Sequence, residues 1–426
     1  MLDETRNRQL MEVSAGTPMG ELLRRYWTPF AAASEFNDKD TKPVRLMGED
    51  LVAYKDKSGN YGLIDRQCPH RRADLSYGFV EDCGLRCNYH GWLFDHNGDC
   101  LAQPFEDTSG DNEKARAGVK VKSYPVEEKA GLLWAYMGPE PAPLVPNWEP
   151  FTYDNCFVQI VFSELPCNWF QCQENSIDPV HFEWMHANWS QRLRGDDGPY
   201  TPTHTKLDFK DFEYGFSYHR VRTDTDEDNP LWTVGRVCLW PNCLFTGEHF
   251  EWRVPIDDEN TLSVGWFLNR VPQGREPFSQ DSIPAWNSPI KDPETGRWID
   301  THVMNQDFIA WVGQGTFADR TKETLGKSDR GIHMIRQQFF KDMELIEKNG
   351  NADPMAIVRD PKANECIELP IIARKIMKEG LTQEQLADEK SILARSTKRF
   401  VFQAGQPDEV KDAYEAAMGF RMEDRD

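Results

Sequence analysis

Basic residues are in short supply: Lys and Arg together number 49 against 70 Asp and Glu, for a net charge of −21. A chain of that balance has no electrostatic footing on phosphate backbones, so no nucleic-acid partner is expected. Long apolar runs are missing too, and nothing approaches the roughly 18 residues that a membrane span requires. The opening Met1-Leu2-Asp3-Glu4-Thr5-Arg6 lacks the basic stretch followed by apolar residues that marks a secretory leader. The expectation is a cytoplasmic protein with no membrane partner. No internal repeat or low-complexity tract is visible. In a reducing compartment the ten cysteines point to metal ligation or burial rather than to disulfides.

What is present is an ordinary globular composition, 39% hydrophobic and 12% aromatic, in 426 residues, too many for one compact core. Residues 44–65 suggest short strands around a Ser58-Gly59-Asn60 turn, His96–Asp99 a second turn, and Gly131–Met137 a closing strand. The Pro-rich stretch Pro139–Pro146 has the composition of a boundary. Beyond it Cys156–Phe162 suggests a strand, Cys167–Trp189 a mainly helical segment, and 205–270 further strands. In Arg330–Gly350 the residues Ile332, Ile335, Phe339, Met343 and Ile346 recur at helical spacing, the mark of a core-facing stripe. Leu381–Arg395 suggests a surface helix. The expected class is α+β, with an N-terminal segment (1–26), a small all-β domain (27–140), and a larger domain (141–426) whose antiparallel sheet is covered by helices.

Two constellations carry chemistry. In the first, Cys68-Pro69-His70 and Cys87-Asn88-Tyr89-His90 form C-x-H, a gap of sixteen residues, then C-x-x-H. A Rieske [2Fe–2S] cluster takes two thiolates on one iron and two imidazoles on the other, and two short loops that each supply one S and one N fit that need. Pro69 stiffens the first loop and Gly91 permits a tight passage beside the second. Structural zinc sites instead group C-x-x-C with H-x₃₋₅-H. Cys83 and Cys100, which flank the motif, are expected to be small buried hydrophobes rather than ligands.

The second constellation lies in CQENSIDPVHFEWMHANW, residues 172–189, where His181 and His186 stand five apart. On a regular α-helix that spacing turns two side chains about 140° away from each other, so joint ligation requires a distortion such as a π-bulge. Two imidazoles and one carboxylate make the facial triad of non-haem Fe(II) oxygenases. Two histidines at this spacing would by themselves be ordinary core or surface residues. Following the first motif, and inside Asn175-x-x-Asp178-x-x-His181-x₄-His186, they gain weight. Composition does not select the carboxylate from 70 acidic residues.

With these pieces the chain resembles the alpha subunits of Rieske ring-hydroxylating oxygenases from about Gly16 onward. It is most similar to the phthalate dioxygenase-like group, which includes aryl-ether demethylating members. The resemblance rests on Gly16–Trp27, both cysteine–histidine loops, the Asn175–His186 motif and Asn305-Gln306-Asp307. It implies that Cys68, His70, Cys87 and His90 hold one Rieske cluster, and that His181, His186 and Asp307 hold one mononuclear Fe(II), with Asp319 as the reserve carboxylate. It implies that Asp178 bridges His181 to His90 of a neighbouring subunit, hence a homotrimer or a hexamer of stacked trimers. Glu323, like Asp319 if not a ligand, is expected to be a solvated helical charge. Electrons would come from NAD(P)H through a separate reductase, directly or through a ferredoxin. O₂ would then hydroxylate, dihydroxylate or O-demethylate an aromatic, carboxylated substrate. Arg236, or else Arg220 or Arg253, is the expected cation for that carboxylate. The competing expectations are an oxygenase acting on a sterol or alkylamine, a pure Rieske electron carrier, and a structural zinc protein.

Overall fold

The computed structural model describes residues 2–108, 113–388, 391–398 and 402–422, in which the chain forms two compact units. The smaller comprises Glu12–Val145 with the short segment Val254–Asp258, and the larger takes Met1–Met11, Pro146–Arg253 and Glu259–Asp426. The division falls at the end of the Pro-rich stretch. Two short pieces are exchanged across it, and no compositional signal marks either.

In the smaller unit, alternating apolar residues and glycine turns make antiparallel sheets. Thr41–Leu46, Glu49–Lys55, Tyr61–Asp65 and Ser123–Tyr124 form one, and Phe79–Glu81, Gly84–Arg86, Leu93–Phe94 and Cys100–Ala102 another. The turn glycine at 98 is required twice over: its φ is +80°, and a Cβ there would sit 2.0 Å from the carbonyl oxygen of Val121. Between the sheets lies a core of Val52, Tyr54, Ile64, Leu75, Leu85 and Phe94, and it includes Cys68 and Cys87. The expected small β domain is present, with short helical insertions. Two short helices, Pro104–Asp107 and Glu113–Ala117, follow the Cys100–Ala102 strand.

The larger unit is built on an eight-stranded sheet that begins with His204–Phe212 and Gly215–Arg222. It is antiparallel apart from Ala285–Asn287, which runs parallel to Cys156–Leu165 at the edge. Phe157, Val161, Leu165 and Phe267 of this sheet pack with Met304, Phe308 and Trp311 of the helix Val303–Gly313 and with Val410 and Tyr414 of Asp408–Met418. The helix Arg330–Lys348 buries Ile332, Ile335, Phe339 and Met343 as its spacing predicts, with Ile346 only half-buried. Full burial of each such side chain stabilises by roughly 1.5–3 kcal/mol.

Three expectations change. Leu381–Arg395 is not one surface helix: Gln383–Ala387 and Ile392–Lys398 are separate short helices that bury Leu386 and Ala394, and residues 389–390 lie outside the described ones. Cys83 is exposed, not buried, because it sits at the tip of the Glu81/Gly84 hairpin, whereas Cys100 is buried. Glu323 is not a solvated charge, since it pairs with Arg336. That guanidinium and Arg320 converge on Glu174 of the helix Trp169–Asn175, with Arg320 Nη2 at 2.7 Å and Arg336 Nε at 2.7 Å. Both arginines are almost fully buried, so the acidic residues between them are what makes their burial tolerable.

Candidate metal centres

In the smaller unit the two ligand loops are built on one plan. The N–H of Cys68 donates to the carbonyl of Ala73, five residues on, and that of Cys87 to Trp92, also five on, each at 2.8 Å. The carbonyl of Cys68 accepts from Arg72 N–H and that of Cys87 from Gly91 N–H, four residues on in both cases. Arg72 and Gly91 both have positive φ, +60° and +76°, which lets the chain turn back after each histidine. These bonds hold each cysteine inward and each histidine outward. Cys68 and Cys87 are 1% and 2% exposed, while His70 is exposed and His90 half-exposed.

The two imidazoles lie with ring centroids 4.5 Å apart, and Trp92 stacks on His70 at 4.4 Å and 7°. Burial pushes the Cys68 thiol up to about 11, and the neighbouring Cys87 adds to the rise. Two thiols side by side in an apolar pocket ionise readily only when a metal compensates their charge. Two such sulfurs backed by two imidazoles fit a Rieske cluster, two ligands to each iron. Trp92 is a contributor that motif spacing did not identify; its only sequence signal is its place at the end of the second loop.

In the larger unit, the segment Phe182–Trp189 is a π-helix that starts at His181. Its i→i+5 bonding brings residues five apart onto one side, which is the distortion that the spacing of His181 and His186 requires. Both Nε2 atoms face Asp307 Oδ1, at 3.7 Å from His181 and 3.5 Å from His186. A metal ion with ligand bonds of about 2.1 Å separates its adjacent ligand atoms by roughly 3.0–3.6 Å, so the spacing admits one ion. Among the described residues this is the group of three whose ligand atoms converge so closely. Asp319, the reserve, lies elsewhere in an exposed loop and pairs with Lys322.

The surroundings favour a cation here. Burial raises the Asp307 carboxyl, but His186, His181 and Arg253 outweigh it and leave the group below its ordinary range. A carboxylate 6% exposed and facing two imidazole nitrogens is a donor set suited to a divalent metal. Asn175 Nδ2 donates to Asp307 Oδ1 at 3.2 Å, and Gln306 Oε1 lies 3.1 Å from His186 Nδ1. The buried His181 Nδ1 lies 3.4 Å from Asp178 Oδ2, a loose contact without hydrogen-bond geometry. The other oxygen of Asp178 accepts from Val180 N–H at 2.8 Å, so this residue both closes the turn at Pro179 and leans on the histidine.

Beside the metal ligands, Phe182 is flanked by two guanidinium groups, Arg236 at 4.7 Å and Arg220 at 4.9 Å from its ring centre. Neither forms an ion pair among the described residues, and the Nε of each is buried without a hydrogen-bond partner. Arg220 is held back by the carbonyl of Pro179 at 3.3 Å and by a 3.4 Å contact with His204. Arg253 is fully buried, paired with Glu251 at 2.5 Å and laid over Trp311, with its Nη2 left without a hydrogen-bond partner. His249, also buried, packs against Phe267 and Phe402, and burial together with Arg236 and Arg253 lowers it to about 3, so it is neutral. No helix among the described residues is long and apolar enough to cross a membrane.

Comparison with known proteins agrees with this geometry. Residues 26–125 match the family model of the Rieske [2Fe–2S] domain. The chain is 59% identical over 425 residues to the oxygenase subunit of 5,5'-dehydrodivanillate O-demethylase from Sphingobium sp. (strain NBRC 103272 / SYK-6), covering 100% of this chain and 99% of that one. It is 30% identical to the oxygenase subunit of phthalate 4,5-dioxygenase from Pseudomonas putida, over 83% of this chain and 88% of that one. Among solved structures, NdmA of Pseudomonas putida CBB5 superposes with a TM-score of 0.55 at 20% identity, covering 79% of this chain and 96% of that one, a likeness of fold. Aligned along its whole length with an oxygenase subunit, and with the Rieske domain in place, this chain belongs to the Rieske non-haem iron oxygenases as an alpha subunit.

Proposed function

We propose that the chain is the terminal oxygenase that O-demethylates a methoxylated aromatic acid, with His181, His186 and Asp307 holding a mononuclear iron and Cys68, His70, Cys87 and His90 the cluster. The observation that carries the reading is the convergence of that triad beside Arg236, a cation that forms no ion pair among the described residues and whose Nε has no hydrogen-bond partner. Bound iron would supply O₂ activation, with electrons from NAD(P)H through a separate reductase, directly or through a ferredoxin. The overall balance is Ar–OCH₃ + O₂ + 2 e⁻ + 2 H⁺ giving Ar–OH, formaldehyde and water.

The chain's own side chains then divide the work. Arg236 anchors the substrate carboxylate by a charge-assisted bond, and Phe182 offers an aromatic face between that cation and the metal ligands. Asn175 and Gln306 hold Asp307 and His186 in place. Asp178 orients His181 and accepts from the ring N–H of His90 of a neighbouring copy, joining the two centres in a closed homotrimer or a pair of stacked trimers. Relatives named for aromatic acids support the substrate class: dehydrodivanillate, phenoxybenzoate, phthalate and 3-chlorobenzoate. Arg236 and Arg220, neither in an ion pair among the described residues, disfavour an alkylamine, which would bring a third positive charge.

The test joins metal analysis to product analysis. Iron and sulfide are counted in the anaerobically purified protein, and formaldehyde release is measured with reductase and a panel of methoxybenzoates and biaryl diacids. Three irons per chain and equimolar formaldehyde are expected. Two irons and no product would make the chain an electron carrier, while a cis-diol without formaldehyde would make it a dihydroxylating enzyme.

A further inference from the structure

Gln306 stands next to Asp307 on the helix Val303–Gly313 and is 2% exposed. Its amide makes three contacts. Nε2 donates to the main-chain carbonyl of Asp300 at 2.8 Å and to Ser190 Oγ at 2.8 Å, while Oε1 lies 3.1 Å from His186 Nδ1. The carbonyl of Asp300 can only accept, so the nitrogen end of the amide must point there. The flipped amide would set two acceptor oxygens against each other. Both amide protons are then in use, and Oε1 is left with nothing to do but accept. In the neutral ring the proton of His186 therefore sits on Nδ1, and the Nε2 lone pair is left on the side of Asp307.

We infer that Gln306 is a positioning residue that fixes the tautomer and ring plane of His186, so that its Nε2 is presented to the metal. The inference rests on the proposed triad. One amide thereby ties the third ligand's helix, the π-helix and the Asp300 turn, and it orients the second ligand from the residue adjoining the third. The sequence holds no signal for this role, because an orienting acceptor can come from any residue type at any distance along the chain.

The test is the affinity of iron-depleted, cluster-retaining protein for Co(II), followed by the visible spectrum of the bound ion, for the wild type and for the His181→Ala, Gln306→Met and Gln306→Glu variants. Cluster absorbance and thermal midpoint are recorded for each. Gln306→Met keeps the volume and removes the acceptor, and it is expected to weaken Co(II) binding by about 10–100-fold. Gln306→Glu restores an acceptor at Nδ1 while setting its second oxygen against the Asp300 carbonyl, and it is expected to bind Co(II) more tightly than Gln306→Met. Wild-type affinity in Gln306→Met overturns the inference. Equal losses in both variants also overturn it, because the ties to Ser190 and Asp300, not the bond to His186, would then be what matters. If the wild type binds no Co(II), or His181→Ala binds it equally well, the failure lies with the triad itself.

Discussion

Arg236 illustrates how far one side chain can be argued. Its strand position opposite Tyr218 sets it on the side of the sheet where Phe182 and the metal ligands lie, and its Nε has no partner. An unpaired buried donor on a cation is an unmet demand that an anionic ligand can satisfy. Arg236→Leu is expected to raise KM for the acid substrate by roughly ten- to a hundred-fold, the equivalent of about 1.5–3 kcal/mol for a charged hydrogen bond. The corresponding amide or ester should be spared, and steady-state kinetics on both substrates checks it. A second residue tests stability. Burial raises Asp342 to about 6, against an ordinary carboxyl near 4 in the unfolded chain. The folded state therefore prefers the protonated form, and stability falls as pH rises from about 4 to about 6, then levels off. Asp342→Asn should raise the thermal midpoint at pH 8, by at most about 3 kcal/mol in stability terms, and give no gain at pH 4. The proposed cluster ligands stand out in the sequence because metal bonds demand fixed residue types at fixed offsets. Asp307 needed the family resemblance, since nothing in its own neighbourhood separates it from other acids. Gln306 and Trp92 act by orientation and stacking, which leave no such offsets.

The π-helix is the element in which sequence and structure meet most closely. Two histidines five apart would be misaligned on an α-helix, and the local change in hydrogen bonding removes the misfit. The spacing announces the distortion only to a reader who already suspects a shared ligand; otherwise it looks like two unrelated histidines. The support beneath it was not legible at all. Glu174 ends the preceding helical stretch and takes both Arg320 and Arg336, partners 146 and 162 residues further on. Such pairings depend on tertiary packing, and charge counts in sequence windows do not predict them. Glu174→Ala strands the buried Arg320 guanidinium and leaves Arg336 with Glu323 alone, and it should cost roughly 3–5 kcal/mol. A fall of several degrees in thermal midpoint, read by far-UV circular dichroism, is the expected outcome. Leu381–Arg395 shows the opposite case, where a run with helical composition holds two separate short helices that bury Leu386 and Ala394.

At the scale of the molecule, the two proposed metal centres fall in separate compact units, and coupling between them is what oxygenase function needs. Asp178→Asn tests the proposed route between copies. Both centres should still assemble and the reductase should still reduce the cluster, yet reoxidation by O₂ and substrate should slow by orders of magnitude. Stopped-flow absorbance of the reduced cluster, together with sedimentation to establish the assembly, checks both halves of the expectation. Wild-type reoxidation in the variant would remove Asp178 from the route. The α+β class and the order of the two domains were readable from strand turns, the Pro-rich stretch and helical stripes. The exchange of short segments was not, because five residues carry too little composition to betray where they belong.

That exchange has a consequence for anyone recombining these enzymes. Within the smaller unit, Pro255 and Ile256 accept from the N–H groups of Met47 and Gly48, Asp257 takes Arg45, and Asp258 caps Val13 N–H. A chimera made with a single crossover at Pro146 would leave these partners behind on the other parent. Transplanting the electron-accepting module intact takes three cuts more than the linear gene suggests: residues 1–11 must stay with the larger unit, and residues 254–258 must travel as a detached pentapeptide graft, inherited as a pair with residues 12–145.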